Sequence, residues 1–283
     1  MDLAKQIRLN RIFSHPSKRL CSVAVDHFIG YQKGLPAGLV NVPEAIKKLV
    51  AGRPDAITML KGMAKNAWAP HAGRIPLIIQ AVCFTADDKV IEETASPEEV
   101  LRLGADAIAV SIGVRGPNEG KFLKLLARMV EQADRLGLPV VSHIYPRDFS
   151  NVDGRVVFDP ENICWAVRCG LECGADVIKV PFTGDAVSFS EIIATSPVPV
   201  VAAGGPRAET LEQSLELMVE VVKSGASGAT IGRNVWGTTD TTAALKAFRS
   251  VIHDGATAAF ALKANRLQGD RGAGEIEELV PSN

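Results

Sequence analysis

Short apolar runs recur along the chain at residues 20–25, 55–60, 76–81, 105–111, 139–143, 175–180, 198–203 and 228–231. Most are rich in β-branched residues and lack strict polar alternation, the pattern of strands covered on both faces. Between most of them lie longer segments with helical spacing, such as 43–50, 119–136, 160–173 and 209–223. Gly104, Gly137, Gly174 and Gly225 follow such segments, where a left-handed residue is wanted before the next strand. The region 64–74 is short for a full helix and reads as an irregular connection.

Eight buried strands alternating with helices, with no linker between them, predict an α/β protein built as a single (β/α)8 TIM barrel. The barrel is expected over residues 1–268, with a short N-terminal extension. The glycine- and charge-rich stretch 269–283 is read as a tail that is disordered or folds over a neighbouring subunit.

Composition narrows the function. Thirty-one Lys and Arg balance 32 Asp and Glu without a long like-charge block, which gives no support for a nucleic-acid surface. Five cysteines without a Cys-x-x-Cys pair indicate reduced thiols in a cytosolic setting. The first 13 residues are too charged for a signal peptide, and no stretch is apolar enough to span a bilayer. A cytoplasmic protein with no membrane and no nucleic-acid partner is expected.

One residue breaks the apolar pattern. Lys179 stands among Val177, Ile178, Val180 and Pro181 in the sixth run. Lysine is rarely buried, and desolvation favours its neutral amine, the nucleophile of Schiff-base enzymes. The alternative is a lysine at the strand end that reaches solvent or a carboxylate. In a barrel, chemistry gathers where strands end, and the other runs end in Asp26 and His27, Lys61, Gln80, and His143 with Tyr145. The turns after the seventh and eighth runs, Gly204-Gly205-Pro206-Arg207 and Gly232-Arg233-Asn234, suit close approach of backbone amides to a phosphate, with Arg233 adding a guanidinium fork.

Together, Arg11-Ile12-Phe13, Val25-Asp26-His27, Tyr145-Pro146-Arg147, Lys179 with Thr183-Gly184-Asp185, Ala203-Gly204-Gly205-Pro206 and Gly232-Arg233-Asn234-Val235-Trp236 resemble the archaeal-type class I fructose-bisphosphate aldolase family. The resemblance implies a metal-independent, cofactor-free lyase of phosphorylated small molecules, assembled as a homo-oligomer. It places Lys179 on the Schiff-base lysine, Tyr145 on the proton-transfer tyrosine and Asp26 on an active-site aspartate. Gly204, Gly205, Gly232 and Arg233 fall on the phosphate turns, with His27, His143 and Lys61 as further substrate contacts.

Tyr145 is expected to have its pKa lowered by nearby cations, and Asp26 either takes part directly or is salt-bridged to Lys61 or Lys179. Three positions depart from the family pattern: Phe28 after Asp-His, His143 in place of a tryptophan, and Asp148 in place of a glycine. They bear on fructose 1,6-bisphosphate as the substrate, not on the aldolase chemistry. Alternatives are a transaldol-type synthase of an amino-dideoxy-heptulosonate, a related thiolase, a metal-dependent lyase using His27, His143 and a carboxylate, or a non-catalytic sugar-phosphate-binding barrel. Tyr145 argues against the thiolase.

Overall fold

The computed structural model describes residues 2–27, 36–85, 87–150 and 154–267, so Phe28 and the stretch 269–283 lie outside the described residues. Each apolar run contains one barrel strand: β1 Leu20–Ala24, β2 Ala56–Leu60, β3 Leu77–Gln80, β4 Ala107–Val114, β5 Val140–Asp148, β6 Val177–Val180, β7 Val200–Ala203 and β8 Gly228–Ile231. Neighbours pair in parallel around the ring, and β8 returns to β1 to close it. Closure removes every sheet edge, so each strand's ladder is completed on both sides.

Strands β4 and β5 run beyond the predicted ends, to Val114 and Asp148, and pair along their whole length. Tyr145 therefore stands on a strand. Two short additions decorate the same end of the barrel: a hairpin of Val82–Phe84 with Ile91–Glu93, and Arg155–Val156 laid antiparallel on the end of β5.

Eleven α-helices occur among the described residues, the first being α1, Leu3–Ile12. Then come α2 Val42–Ala51, α3 Lys61–Ala67, α4 Pro97–Arg102, α5 Glu119–Asp134 and α6 Pro160–Glu172. The last five are α7 Ala186–Ala194, α8 Leu211–Lys223, α9 Arg233–Trp236, α10 Thr241–Asp254 and α11 Ala258–Ala264. Local sequence sets their ends. Asp159 caps α6 ahead of Pro160, and Thr210 with Gln213 forms a capping box on α8. The four glycines predicted to follow helices all have positive φ. The stretch 64–74 holds the end of α3 and a 3-10 turn, Ala69–His71. No helix among the described residues is long and apolar enough to cross a membrane.

The N-terminal extension has a structural task. Leu9 and Ile12 of α1 pack with Leu20, Ala56, Ile78, Ala107, Val141, Val177 and Val201, so the helix plugs the barrel where its strands begin. Three aspartates just before even-numbered strands tie this floor together. Asp55, Asp106 and Asp176 accept the backbone N–H groups of Cys21, Leu77 and Val140 at 2.6, 3.0 and 2.8 Å. Lys5 reaches Asp176 at 2.7 Å and also pairs with Asp134; Arg11 reaches Asp106 at 2.9 Å. Asp55 is held by Arg249 and approached by His253, each at 2.9 Å.

Two residues further along the strands the interior changes character. Ile78 gives way to Gln80, Ala109 to Ser111, Val141 to His143 and Val177 to Lys179. Residues i and i+2 share a sheet face, so the lumen is apolar below and polar above.

Candidate active site

Lys179 is buried, 5% exposed, on the inward face of β6. Its two strand neighbours, Ile178 and Val180, belong to the layer between sheet and helices. The fold thus selects the interior position for Lys179 over one reaching solvent. In register beside it stand Val201 on β7 and His143 on β5, and beyond His143 comes Ser111 on β4. The row Val201–Lys179–His143–Ser111 crosses four strands.

His143 is 2% exposed. Burial, then the charge of Lys179, push its pKa well below the ordinary histidine value, so the ring is neutral. Its Nδ1 lies 3.2 Å from Gln80 Nε2 and 3.4 Å from Ser111 Oγ. Gln80 also donates to Asp26 Oδ2 at 3.1 Å and to Ser111 Oγ at 2.7 Å. Asp26 Oδ1 lies 3.7 Å from His27 Nδ1. His27 is pushed down to about 4, by burial first and by the positive charges of Lys179 and Arg233, against the pull of Asp26.

Tyr145 carries a correction. Burial, then the charge of Asp26, push the phenol above its ordinary value, and Arg233 only partly opposes them. The expected lowering by cations is overturned because the residue is desolvated and its anionic neighbour outweighs its cationic one.

The two glycine turns meet at the same mouth. A Cβ on Gly232 would lie 2.4 Å from His27 Cε1, so the loop after β8 passes this close to His27 only because the residue is glycine. Gly205 has φ +72°. Arg233 donates to Gly205 O at 3.3 Å, linking the two turns. Asn234, quoted in the motif but not foreseen as a site residue, clamps them more firmly. Its amide donates to Gly204 O and Pro206 O at 2.9 and 3.0 Å and accepts from Ala208 N–H at 3.0 Å. Trp236 donates to Ala24 O at 3.0 Å and meets His27 edge-on.

Lys61 is the predicted residue that the fold does not gather into this network. It begins α3, and its ammonium pairs with Glu99 of α4 at 2.7 Å, beside Lys65. It is therefore not the partner of Asp26, which meets Gln80 with His27 alongside. Asp148 turns to Arg155, at 3.1 Å, on the short strand beside β5. Among the described residues no group of three or more His, Cys, Asp or Glu side chains is placed to hold a metal ion.

Comparison with known proteins agrees with this geometry. A family model described as DeoC/LacD family aldolase matches residues 20–238, from β1 past Trp236. The chain belongs to the DeoC/LacD family of aldolases. Within reach of this family, a 2-amino-3,7-dideoxy-D-threo-hept-6-ulosonate synthase of Halobacterium salinarum is 33% identical over 258 residues, 90% of this chain and 94% of that protein. A 2-amino-4,5-dihydroxy-6-oxo-7-(phosphonooxy)heptanoate synthase of Streptomyces griseus is 30% identical over 257 residues, 90% and 92% of the two chains. A crystal structure of an archaeal fructose-1,6-bisphosphate aldolase superposes with a TM-score of 0.77 at 30% identity, covering 88% of this chain and 99% of that one. In that relative the catalytic lysine is covalently bound to the carbinolamine intermediate of the substrate. The chain thus carries the fold of a class I, Schiff-base aldolase with a lysine buried inside it.

Proposed function

We propose that Lys179 is the Schiff-base nucleophile of a class I aldolase acting on a phosphorylated ketose or related keto compound. The observation that carries this reading is a buried lysine on the inward face of β6, level with a neutral histidine and below two clamped glycine turns. Burial disfavours the ammonium form and leaves an amine able to attack a ketone. Loss of water gives a protonated imine, which withdraws electrons from the adjacent carbon–carbon bond. When that bond breaks, an aldehyde departs and an enamine remains on the lysine.

Tyr145 serves as the proton carrier. Its raised pKa makes it a neutral phenol at rest, so in the bond-forming direction it delivers a proton to the nascent alkoxide. In cleavage it relays a proton, taking the one from the substrate hydroxyl as it releases its own, with Asp26, whose negative charge acts on the phenol, as the final acceptor. Gly205 and Gly232 bind the phosphate through backbone amides and Arg233 through its guanidinium, while Gly204, whose N–H donates to Thr230 O at 2.8 Å, shapes the turn. His27 and His143, both neutral, offer hydrogen bonds to substrate oxygens.

A second reading is a transaldol-type synthase of the amino-dideoxy-heptulosonate kind. It is supported by the likeness to the Halobacterium salinarum synthase, and His143, which replaces the tryptophan of the fructose-bisphosphate pattern, weighs against fructose 1,6-bisphosphate as the substrate. The two readings share the imine and differ in the fate of the enamine, which a lyase protonates and a synthase passes to a second carbonyl acceptor.

Borohydride reduction in the presence of fructose 1,6-bisphosphate, dihydroxyacetone phosphate and other phosphorylated keto compounds tests both. A stable adduct on the peptide that contains Lys179, absent from Lys179→Met, is expected. An adduct on another lysine, or turnover of a substrate with no adduct, overturns the proposal.

A further inference from the structure

Gln80 lies at the centre of the polar tier, and no role in the chemistry above uses it. Its carboxamide is 4% exposed and is contacted at both ends. Val82 N–H donates to Gln80 Oε1 at 3.3 Å, which assigns the oxygen to that side. The opposite end faces the carboxylate of Asp26 at 3.1 Å, an acceptor that only an NH2 can satisfy. A flipped amide would set NH2 against N–H on one side and oxygen against carboxylate on the other. The two contacts are independent and choose the same orientation.

Three acceptors then face the two protons of that NH2: Asp26 Oδ2, Ser111 Oγ at 2.7 Å and His143 Nδ1 at 3.2 Å. Ser111 has a proton of its own and lies 3.4 Å from His143 Nδ1. One arrangement satisfies every group: Gln80 donates to Asp26 and to Ser111, and the Ser111 hydroxyl donates to His143 Nδ1. Because Nδ1 is pressed against an NH2 that can only donate, it is an acceptor. The single proton of the neutral ring therefore sits on Nε2, on the edge turned away from β3 and β4, and β6 with Lys179 is the neighbouring strand on that side.

We infer that Gln80 is the positioning residue of this site, fixing His143 as its Nε2–H tautomer and orienting Asp26 through the same amide. His143 then presents a hydrogen-bond donor beside the reacting amine. It holds an oxygen acceptor of the substrate, such as a hydroxyl or an alkoxide, and does not abstract a proton. This inference rests on the Schiff-base reading, since it is Lys179 whose substrate His143 would contact. The interaction spans β1, β3, β4 and β5, so it also ties the proton-transfer side of the mouth to the imine side.

The test begins with the unmodified protein. Long-range 1H–15N NMR on protein with 15N-labelled histidine, His143 assigned by loss of its signals in His143→Ala, reads the tautomer directly. The Nε2–H pattern is expected; an Nδ1–H pattern overturns the inference without any Gln80 variant having to fold. Gln80→Glu places an acceptor against Nδ1 and should shift His143 towards the Nδ1–H form, whereas Gln80→Met removes the donor and should leave the two forms mixed. Retention of the Nε2–H form in both overturns the positioning role.

In parallel, the rate of borohydride-trapped adduct formation with dihydroxyacetone phosphate should fall in Gln80→Met by up to about 100-fold, the cost of a misplaced reacting geometry. The concentration giving half-maximal rate should change far less. A wild-type rate in Gln80→Met overturns the inference while leaving the Schiff-base proposal standing. Absence of any Lys179 adduct in the unmodified protein, by contrast, removes the Schiff-base reading, and the NMR result still judges the amide network on its own.

Discussion

Val177 and Lys179 stand two residues apart on one strand, both facing the lumen, and belong to different regimes. At the floor, buried charge is paired. Asp55, Asp106 and Asp176 each accept a strand amide and each meet a cation, two of those cations coming from α1. At the mouth, like charges share one enclosure: Lys179 and Arg233 both depress His27, and Asp26 raises Tyr145. The floor's polar groups hold strands in register. The mouth's are held in register by the strands, and their conflicts keep His27 and His143 neutral and the Tyr145 phenol protonated. The same division of labour between the two faces is general for parallel barrels, with conserved stability below and chemistry above.

The widest separation between the two regions should come from paired substitutions. Asp176→Ala removes the acceptor for Val140 N–H and one partner of the buried Lys5, which leaves only Asp134 at its surface-exposed side. Because Asp134 still faces Lys5, the cost falls below the ~3–5 kcal/mol of a buried charge left with no partner. Urea titration should register that loss, while the rate of Lys179 adduct formation per folded molecule is unchanged. Lys179→Met should behave in the opposite way, abolishing the adduct with no comparable loss of stability. Equal loss of stability in both variants would erase the distinction between floor and mouth.

A smaller effect is expected inside the mouth. Tyr145→Phe should still form the adduct at Lys179 but break or form the carbon–carbon bond about 100-fold more slowly, the scale for losing a general acid–base group. Because the phenol is raised and not lowered, the wild-type rate should show no loss of activity near neutral pH from ionisation of Tyr145. Wild-type turnover in the phenylalanine variant would remove Tyr145 from the proton path.

The barrel was legible in the chain because a strand covered on both faces leaves an apolar run, and Lys179 was legible because it interrupts one. Other features had no local signal. The task of α1 was hidden by its charged residues, since only Leu9 and Ile12 face the floor while Lys5 and Arg11 answer aspartates more than 90 positions away. Lys61 follows directly on a strand end, as site residues often do, but as the first residue of α3 it is turned to Glu99. The direction of the Tyr145 shift depended on how far burial and Asp26 outweigh Arg233, a balance of distances that spacing along the chain does not encode. Gln80 and His143 were visible as strand-end polar residues, whereas their 3.2 Å contact, across 63 positions, is a product of closure.

Within the floor itself, chemically identical residues should separate with pH. Burial alone would raise Asp55, but the hydrogen bonds from His253 and the Cys21 amide, together with the charge of His253, outweigh it and hold the carboxylate below its ordinary value. Asp106 goes the other way: burial raises it, and the Leu77 amide and Arg11 do not compensate. The difference follows from His253, which gives Asp55 both a hydrogen bond and a charge, whereas Asp106 is opposed only by the Leu77 amide and the charges of Arg11 and Arg8. A depressed folded-state pKa means that the unfolded chain binds more protons, so the contribution of Asp55 is complete above about pH 4, the unfolded value, and is lost as pH falls through the folded one. For Asp106 the sign reverses, and its contribution declines as pH rises above about 4. Urea titrations of Asp55→Asn and Asp106→Asn from pH 3 to 6 should therefore change the slope of stability with pH in opposite senses. Slopes that move in the same sense would show that the two aspartates are equally compensated, and that the floor is uniform.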